Sequence, residues 1–261
     1  MDTQQLSRRY LVLSLLALTL SVPMLICAQE EPGPSTGASL SQALVKQHEG
    51  WSNKISTPGA SIRVKETGRE GSQARYSFYV SGLPNDRVYS VVSWPINQAH
   101  PVTVMEGVSI GKDGIVSCTG RLEGECTDPS GDSDNAVDFS FNSLSGEPNR
   151  LALVSGDQRA AVIVVPNPIT ASDKGCTLSA ERLTPHFEIA FFTGSGYPQD
   201  ANILFDSESY GEKHRLETTA DHEGKIHFAM LPFVSGHPHG TTHIKAAATG
   251  CSPGLKFDWG Q

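Results

Sequence analysis

Apolar and polar residues alternate with a period of two along most of the chain. Tyr76, Phe78 and Val80, for example, are separated by single, more polar residues. Such alternation is typical of strands with one buried face, because successive side chains point to opposite sides of a sheet. Six further runs follow in the first half: Val88–Trp94, Val102–Val104, Ile115–Ser117, Val137–Phe141, Leu151–Val154 and Ala160–Val165. Glycine, proline, asparagine or aspartate bounds each run, which predicts an antiparallel sandwich or barrel.

A second series of apolar runs begins after Pro166-Asn167-Pro168, whose prolines interrupt any continuous strand. Its members are Thr177–Ala180, Phe187–Phe192, Ile203–Phe205, Leu216–Thr218, Ile226–Met230, His243–Ala246 and Leu255–Trp259. We expect Phe187, Ile189 and Phe191 to share one face of their strand. The series predicts a first domain at residues 58–168 and a second at residues 174–261, with the boundary inside 167–175.

The two halves have the features of a degenerate tandem repeat. Gly111–Gly114 parallels Asp221–Gly224, and Ser145–Pro148 parallels Ser235–Pro238, in the same order. The spacing from Gly114 to Ser145 is 31 residues, whereas the corresponding spacing in the second half is 11. The first copy therefore contains a long insertion.

This arrangement resembles the tandem immunoglobulin-like modules of exported and surface bacterial proteins, over about residues 58–261. The chain departs from antibody-type domains, which place a tryptophan between their paired cysteines. Here Trp94 precedes Cys118, and no tryptophan lies between Cys176 and Cys251. The resemblance implies two all-β sandwiches with a binding or spacer role, and it supplies no catalytic residues.

The N-terminal 28 residues have the pattern of a secretory signal peptide. Arg8 and Arg9 precede an apolar run that ends at Ala28, and a polar stretch follows. We predict cleavage after Ala28 and export to the periplasm, the cell surface or the medium. An uncleaved anchor and a lipoprotein acylated at Cys27 are the alternatives.

Residues 29–57 are predicted to be a linker with one short helix. Ser39 and Gln42 have the spacing of a helix-capping box. Leu44 and His48 would then share one face, and Gly50 would end a helix of about ten residues.

Four cysteines remain after the predicted cleavage, and an even number in an exported chain favours two disulfides. Of the three possible pairings, Cys118–Cys126 and Cys176–Cys251 keep each bond within one predicted domain. The whole chain has a net charge of −8, which argues against general nucleic-acid binding.

Histidines are concentrated in the second half. His237, His239 and His243 lie within seven residues, and imidazoles so close in sequence could bind zinc or another transition metal, with His222 as a fourth ligand. A structural role for these histidines is the alternative. A calcium site at residues 128–138 and a serine nucleophile at Ser133 are weaker hypotheses.

We therefore expect an exported, non-catalytic protein for binding, adhesion or spacing, without a cofactor. Its partner would be an unknown protein or a surface glycan, and neither nucleic acid nor stable membrane insertion is expected. Exposed aromatic residues would suit a glycan, and five are candidates by type, although packing in the core is the favoured role for them: Trp51, Trp94, Tyr197, Tyr210 and Trp259. The alternatives are a periplasmic metal-binding protein that uses the loop His237–His243 and, less favoured, a secreted hydrolase.

Overall fold

The computed structural model describes residues 36–118 and 136–260, which form one helix and sixteen strands. The predicted all-β class is confirmed, because the strands form four antiparallel sheets. The predicted signal peptide lies outside the described residues. In the part of the chain that the structure describes, no helix has both the length and the apolar character to cross a membrane.

The first eight strands form two sheets around one core. Their bounds are β1 Ser61–Glu70, β2 Gln73–Ser81, β3 Tyr89–Trp94, β4 Val102–Ile110, β5 Val116–Cys118, β6 Phe139–Asn142, β7 Asn149–Ser155 and β8 Gln158–Val164. One sheet has the order β1-β2-β6 and the other β5-β4-β3-β7-β8. Phe78 of the first sheet and Leu153 of the second belong to the same buried cluster, so the two sheets pack face to face as a sandwich.

The last eight strands repeat this arrangement. Their bounds are β9 Ile169–Asp173, β10 Cys176–Arg182, β11 Ala190–Ser195, β12 Asn202–Ser209, β13 Glu212–Thr219, β14 Ile226–Met230, β15 Gly240–Ala247 and β16 Gly254–Trp259. The sheet orders are β14-β11-β10-β9 and β13-β12-β15-β16. Phe192, Phe205 and Phe257 share their buried cluster, and the predicted disulfide Cys176–Cys251 is present, with 6.0 Å between its Cα atoms.

The segment assigned to the domain boundary contains β9, which pairs along β10. The boundary itself stays a prediction. Asn167 is held against the first sandwich. Its side chain donates hydrogen bonds to the carbonyls of Ser143, at 2.7 Å, and Ser72, at 3.2 Å. Arg69 donates a hydrogen bond to the Asn167 side-chain oxygen at 2.8 Å and another to the Pro166 carbonyl at 2.8 Å. These four contacts fix the chain between β8 and β9.

A second tie joins the two sandwiches at Arg182. Its backbone N–H donates to the carbonyl of Gly146 at 2.8 Å, and its side chain donates to the carbonyls of Ser145 and Pro185. Gly146 has a φ of 70°, and a Cβ there would lie 3.1 Å from the Ala180 carbonyl oxygen. This close approach therefore requires glycine.

The predicted face of Phe187, Ile189 and Phe191 is wrong. Phe187 has a φ of 61° in a turn before β11, a backbone conformation that interrupts a strand. Its ring stacks on Phe257 in the core. Ile189 and Phe191 lie in a separate cluster with Leu44 and Val45 of the helix.

The helix α1, Thr36–Ile55, is twice as long as predicted: it begins before Ser39, which is therefore not the N-cap, and it continues through Gly50. Trp51 explains the extension past Gly50, because its buried ring packs against Ala152 and Ala161 of the first sandwich. Its indole N–H donates a hydrogen bond to the Leu151 carbonyl at 3.1 Å. The helix end is therefore set by tertiary packing, which can override the helix-breaking tendency of one glycine.

Between its two apolar contacts, α1 places His48 in a buried polar cluster. His48 Nδ1 lies 3.3 Å from a guanidinium nitrogen of Arg150 on β7. His48 Nε2 lies 3.3 Å from a carboxylate oxygen of Glu181 on β10, although this contact lacks hydrogen-bond geometry. The cluster thus joins the helix to a strand from each sandwich.

Burial sets the protonation of this cluster. Desolvation, followed by the charge of Arg150, lowers the pKa of His48 from 6.5 to about 3. Desolvation raises the pKa of Glu181 from 4.5 to about 7, and Arg150 opposes that rise. Between pH 4.5 and 6.5 the folded protein therefore holds a neutral imidazole beside a protonated carboxyl.

The two groups make opposite contributions to the pH dependence of stability. The contribution of His48 is present above pH 6.5 and is lost as the pH falls towards 3. The contribution of Glu181 is present below pH 4.5 and is lost as the pH rises through 7. Between pH 4.5 and 6.5, unfolding moves a proton from Glu181 to His48, so the pair takes up no net proton.

When either His48 or Glu181 is replaced, the titration of the remaining residue should become visible in the pH dependence of stability. Relative to the wild type, Glu181→Gln should lose stability as the pH falls from 6.5 to 4.5, with a slope approaching about 1.4 kcal/mol per pH unit. His48→Gln should show the opposite slope over this range. Urea unfolding at half-unit pH steps measures both, and three parallel curves would contradict the assignment.

Trp51→Ala tests the docking of α1. The variant removes a buried indole and its hydrogen bond, so the free energy of unfolding should fall by about 3–5 kcal/mol. Val104→Ala, at an exposed position on β4, is the control and should change it by no more than about 0.5 kcal/mol. Urea denaturation gives both values, and equal effects of the two substitutions would show that the docked tryptophan contributes little.

Candidate functional site

The outer face of the sheet β13-β12-β15-β16 carries the main candidate site. Alternation along each strand turns Phe205, Ile244 and Phe257 into the core. The intervening residues, such as Lys245 and Lys256, are exposed on the opposite side. We call this solvent side the outer face.

Strand register arranges the charged residues of the outer face in rows. In one row, Glu208 on β12 pairs with Lys213 on β13 and with His243 on β15, and His243 pairs with Lys256 on β16. Neighbouring strands lie about 4.8 Å apart. Side chains of both signs therefore follow one another across the sheet.

The next row contains Arg215, Asp206, Lys245 and Gly254, in that order across the four strands. Its last position has no side chain, so the row ends in a depression beside Lys245. A cavity of about 860 Å³ crosses both rows. We call this cavity the charged groove.

Both carboxylates in the groove are matched by cations. Arg215 donates two hydrogen bonds to Asp206, at 2.6 and 3.2 Å. The hydrogen bond from Arg215 lowers the pKa of Asp206, and the charges of Arg215 and Lys245 lower it further. The ammonium of Lys213 lies 3.4 Å from Glu208.

Lys245 and Lys256 form no ion pair within 4 Å with any residue that the structure describes. With Arg215 and Lys213 offset by Asp206 and Glu208, these two lysines leave the groove locally positive. The whole chain is acidic, with a net charge of −8. The groove is therefore a positively charged region on a protein whose net charge is negative.

A smaller cleft of about 440 Å³ lies further along the outer face and includes Tyr210, Thr241 and Asp258. Tyr210 is 52% exposed, and its ring stacks on His237 with 3.9 Å between the centroids. The Tyr210 hydroxyl donates to the His239 carbonyl at 2.9 Å. We call this cleft the tyrosine cleft.

The four histidines predicted as metal ligands have different surroundings. His237 stacks on Tyr210, His239 borders the tyrosine cleft, and His243 lies in the charged groove. His222 contacts Asp200, with 3.1 Å between its Nδ1 and a carboxylate oxygen. Across residues 36–118 and 136–260, no group of three or more histidine, cysteine or acidic side chains could hold a metal ion. Metal binding by this loop stays a prediction.

The aromatic residues considered for glycan binding also differ in exposure. Trp51, Tyr197 and Trp259 are buried and serve the core. Trp94 is partly buried, and its indole N–H donates to the Gln98 carbonyl at 3.0 Å. Tyr210 is therefore the member of this set with the most accessible ring.

Several sequence-based candidates lie outside the described residues. These are Cys126, the predicted partner of Cys118, and Ser133, the weakly supported nucleophile. The same holds for most of the acidic segment 128–138. Asp138 is described, and it accepts a hydrogen bond from the Thr67 hydroxyl at 3.1 Å.

Sequence reasoning missed Lys245 and Lys256 as site residues. Their signal was present, since both occupy the polar positions of strands that the alternation predicted. Their proximity depends on pairing between β15 and β16, which a sequence pattern does not specify. Comparisons with known proteins give no further guide, because neither a protein family nor a curated protein matches this chain.

Proposed function

We propose that this chain is an exported, non-catalytic binding protein of two immunoglobulin-like modules, and that it binds a surface glycan through its charged groove. The observation that carries the proposal is the groove itself, an 860 Å³ cavity across four paired strands. Its side chains are regularly spaced by the sheet, so little ordering of the backbone is needed on binding.

The chemistry of the groove favours a glycan. Glu208 and Lys213 offer an acceptor and a donor in one row, and Asp206 and Arg215 do the same in the next. Sugar hydroxyls both donate and accept hydrogen bonds, so they can match side chains of both kinds. Tyr210, in the turn between β12 and β13, adds a half-exposed aromatic ring beside the same sheet. One face of this ring stacks on His237, and the exposed part offers an amphipathic surface for a sugar ring.

A binding role also suits the state of the Asp206 carboxylate. Asp206 is held by Arg215, and its pKa is lowered. A general acid or base works best with a pKa near the operating pH. Asp206 is therefore better suited to accept hydrogen bonds than to transfer protons.

Export is supported by the disulfide Cys176–Cys251, since such bonds persist mainly in oxidising compartments. The helix α1 supports a binding protein rather than a flexible spacer. It contacts β8 of the first sandwich and β14 of the second, so the two modules are tied together by more than their linking segment.

Gly254→Trp tests the groove without changing its charge. A Cβ at Gly254 would meet the Ile244 carbonyl oxygen at 3.4 Å, an ordinary contact, so the indole should extend into the groove and the fold should persist. On an array of neutral and acidic polysaccharides, we expect the wild type to bind at least one glycan. Gly254→Trp should weaken that binding at least tenfold.

Val104→Trp is the matched control, because it adds the same side chain at an exposed site on β4. It should bind as the wild type does. Melting temperatures within about 3 °C of the wild type would show that both variants are folded, since such a shift is about 1 kcal/mol or less for a chain of this size. A wild type that binds no glycan, or equal binding by all three proteins, would contradict the proposal.

A further inference from the structure

The two lysines without ionic partners determine the ligand class of the charged groove. We infer that the glycan is acidic, and that Lys245 and Lys256 together hold one of its carboxylate or sulfate groups. This inference rests on the proposed function and adds the charge of the ligand and the residues that recognise it. Lys245 is near enough to Asp206 to lower the pKa of that carboxyl, but neither lysine forms an ion pair within 4 Å with a residue that the structure describes.

The register places the two lysines as diagonal neighbours. Lys245 pairs with Gly254 and His243 with Lys256 on adjacent antiparallel strands. Diagonal positions are about 7–8 Å apart, within reach of long side chains. Two ammonium groups can therefore converge on a single anion that lies between their strands.

Gly254 makes room for this anion. It stands directly opposite Lys245, at the position where another residue would project a side chain beside the lysine. Both Gly254 and the two lysines line the 860 Å³ groove. The depression and the uncompensated charges therefore coincide.

The other charged residues of the groove have a different role from the two lysines, because they are already paired. Asp206 is paired with Arg215, and Glu208 lies close to Lys213. An anion would meet less repulsion from carboxylates already matched by cations. The paired groups are left to hydrogen-bond hydroxyls, while the unpaired lysines attract the negative group.

An acidic glycan fits this surface better than an acidic peptide. Extended peptides commonly bind by adding a strand to a sheet edge, with pockets for alternate side chains. The groove lies instead on the face of the sheet, across the four strands β13, β12, β15 and β16. Its floor offers alternating charged donors and acceptors, which suit a ligand with hydroxyls along its length.

Calorimetric titration with two matched sugars tests the inference. The probes are an oligogalacturonate of about ten residues and its fully methyl-esterified form, which keeps the sugar but loses the charge. We expect the wild type to bind the free acid at least tenfold more tightly than the ester. This preference should shrink as salt rises from 50 to 500 mM, because screening weakens exposed charge contacts.

The double variant Lys245→Gln/Lys256→Gln should lose at least tenfold in affinity for the oligogalacturonate. Lys65→Gln/Lys112→Gln removes the same charge from exposed positions in the first half of the chain, and it should bind within twofold of the wild type. A heparin oligosaccharide, as a sulfated probe, shows which anionic group is preferred. Loss with the groove double variant and not with the control supports the inference for either group.

Three results would overturn the inference, and they differ in what they leave of the proposed function. Equal binding of acid and ester, with loss in Gly254→Trp, would keep the glycan site and reject its charge preference. Equal binding of poly-glutamate and oligogalacturonate would reject the glycan as the ligand. Equal losses in the two double variants would mean that net charge, and not this pair of lysines, governs binding.

Discussion

Burial of one face of each strand is the constraint on which both the fold and the site depend. Phe192, Phe205 and Phe257 fill the space between two sheets, and moving any strand by one residue would expose its apolar set. The same alternation fixes the outward direction of Lys245 and Lys256. The position of the two lysines proposed to recognise the ligand is thus a consequence of core packing, and it needs no ordering of a loop.

The junction between the two sandwiches follows a different principle, since polar groups are buried there. His48, Arg150 and Glu181 meet at the inner side of α1, where desolvation makes charged forms costly. The cluster reduces that cost by keeping His48 neutral and Glu181 protonated over much of the acid range. Apolar contacts through Trp51 on one side and Leu44 on the other enclose it, so the helix contributes packing as well as polar specificity.

The sequence pattern predicted the strand-rich architecture because alternation is a local property. It predicted the disulfide Cys176–Cys251 because four cysteines allow only three pairings, of which this one keeps each bond within one predicted domain. It did not predict the length of α1, since the anchor Trp51 follows a glycine and finds its partners about one hundred residues away. The sequence pattern also placed Phe187 in a strand, whereas it lies in a turn with a positive φ. Nothing in the local sequence indicates this conformation, because aromatic residues rarely adopt a positive φ.

The candidate site was harder to predict than the fold because it depends on which strands are neighbours. The histidine-rich loop was a candidate site because its histidines are close in sequence, whereas in the structure His237 stacks on Tyr210 and His243 lies in the charged groove. The lysines at 245 and 256 are eleven positions apart, and pairing between β15 and β16 makes them neighbours. Spacing along the sequence therefore could not identify Lys245 and Lys256 as neighbours.

Individual lysines on an exposed sheet are weak recognition elements. Each ammonium is well hydrated, and fixing one side chain costs about 2 kcal/mol of rotamer entropy. Exposed ion pairs typically contribute only about 0.2–1 kcal/mol each.

A repeating acidic polysaccharide offsets this weakness. When one of its anionic groups leaves the two lysines, the next group along the polymer is still held close to them, at a high local concentration. The groove is open across four strands, a form that would suit the proposed polymeric ligand better than a single enclosed molecule. A polymeric ligand thus reconciles a modest set of charges with useful affinity, and it agrees with the shallow, extended form of the outer face.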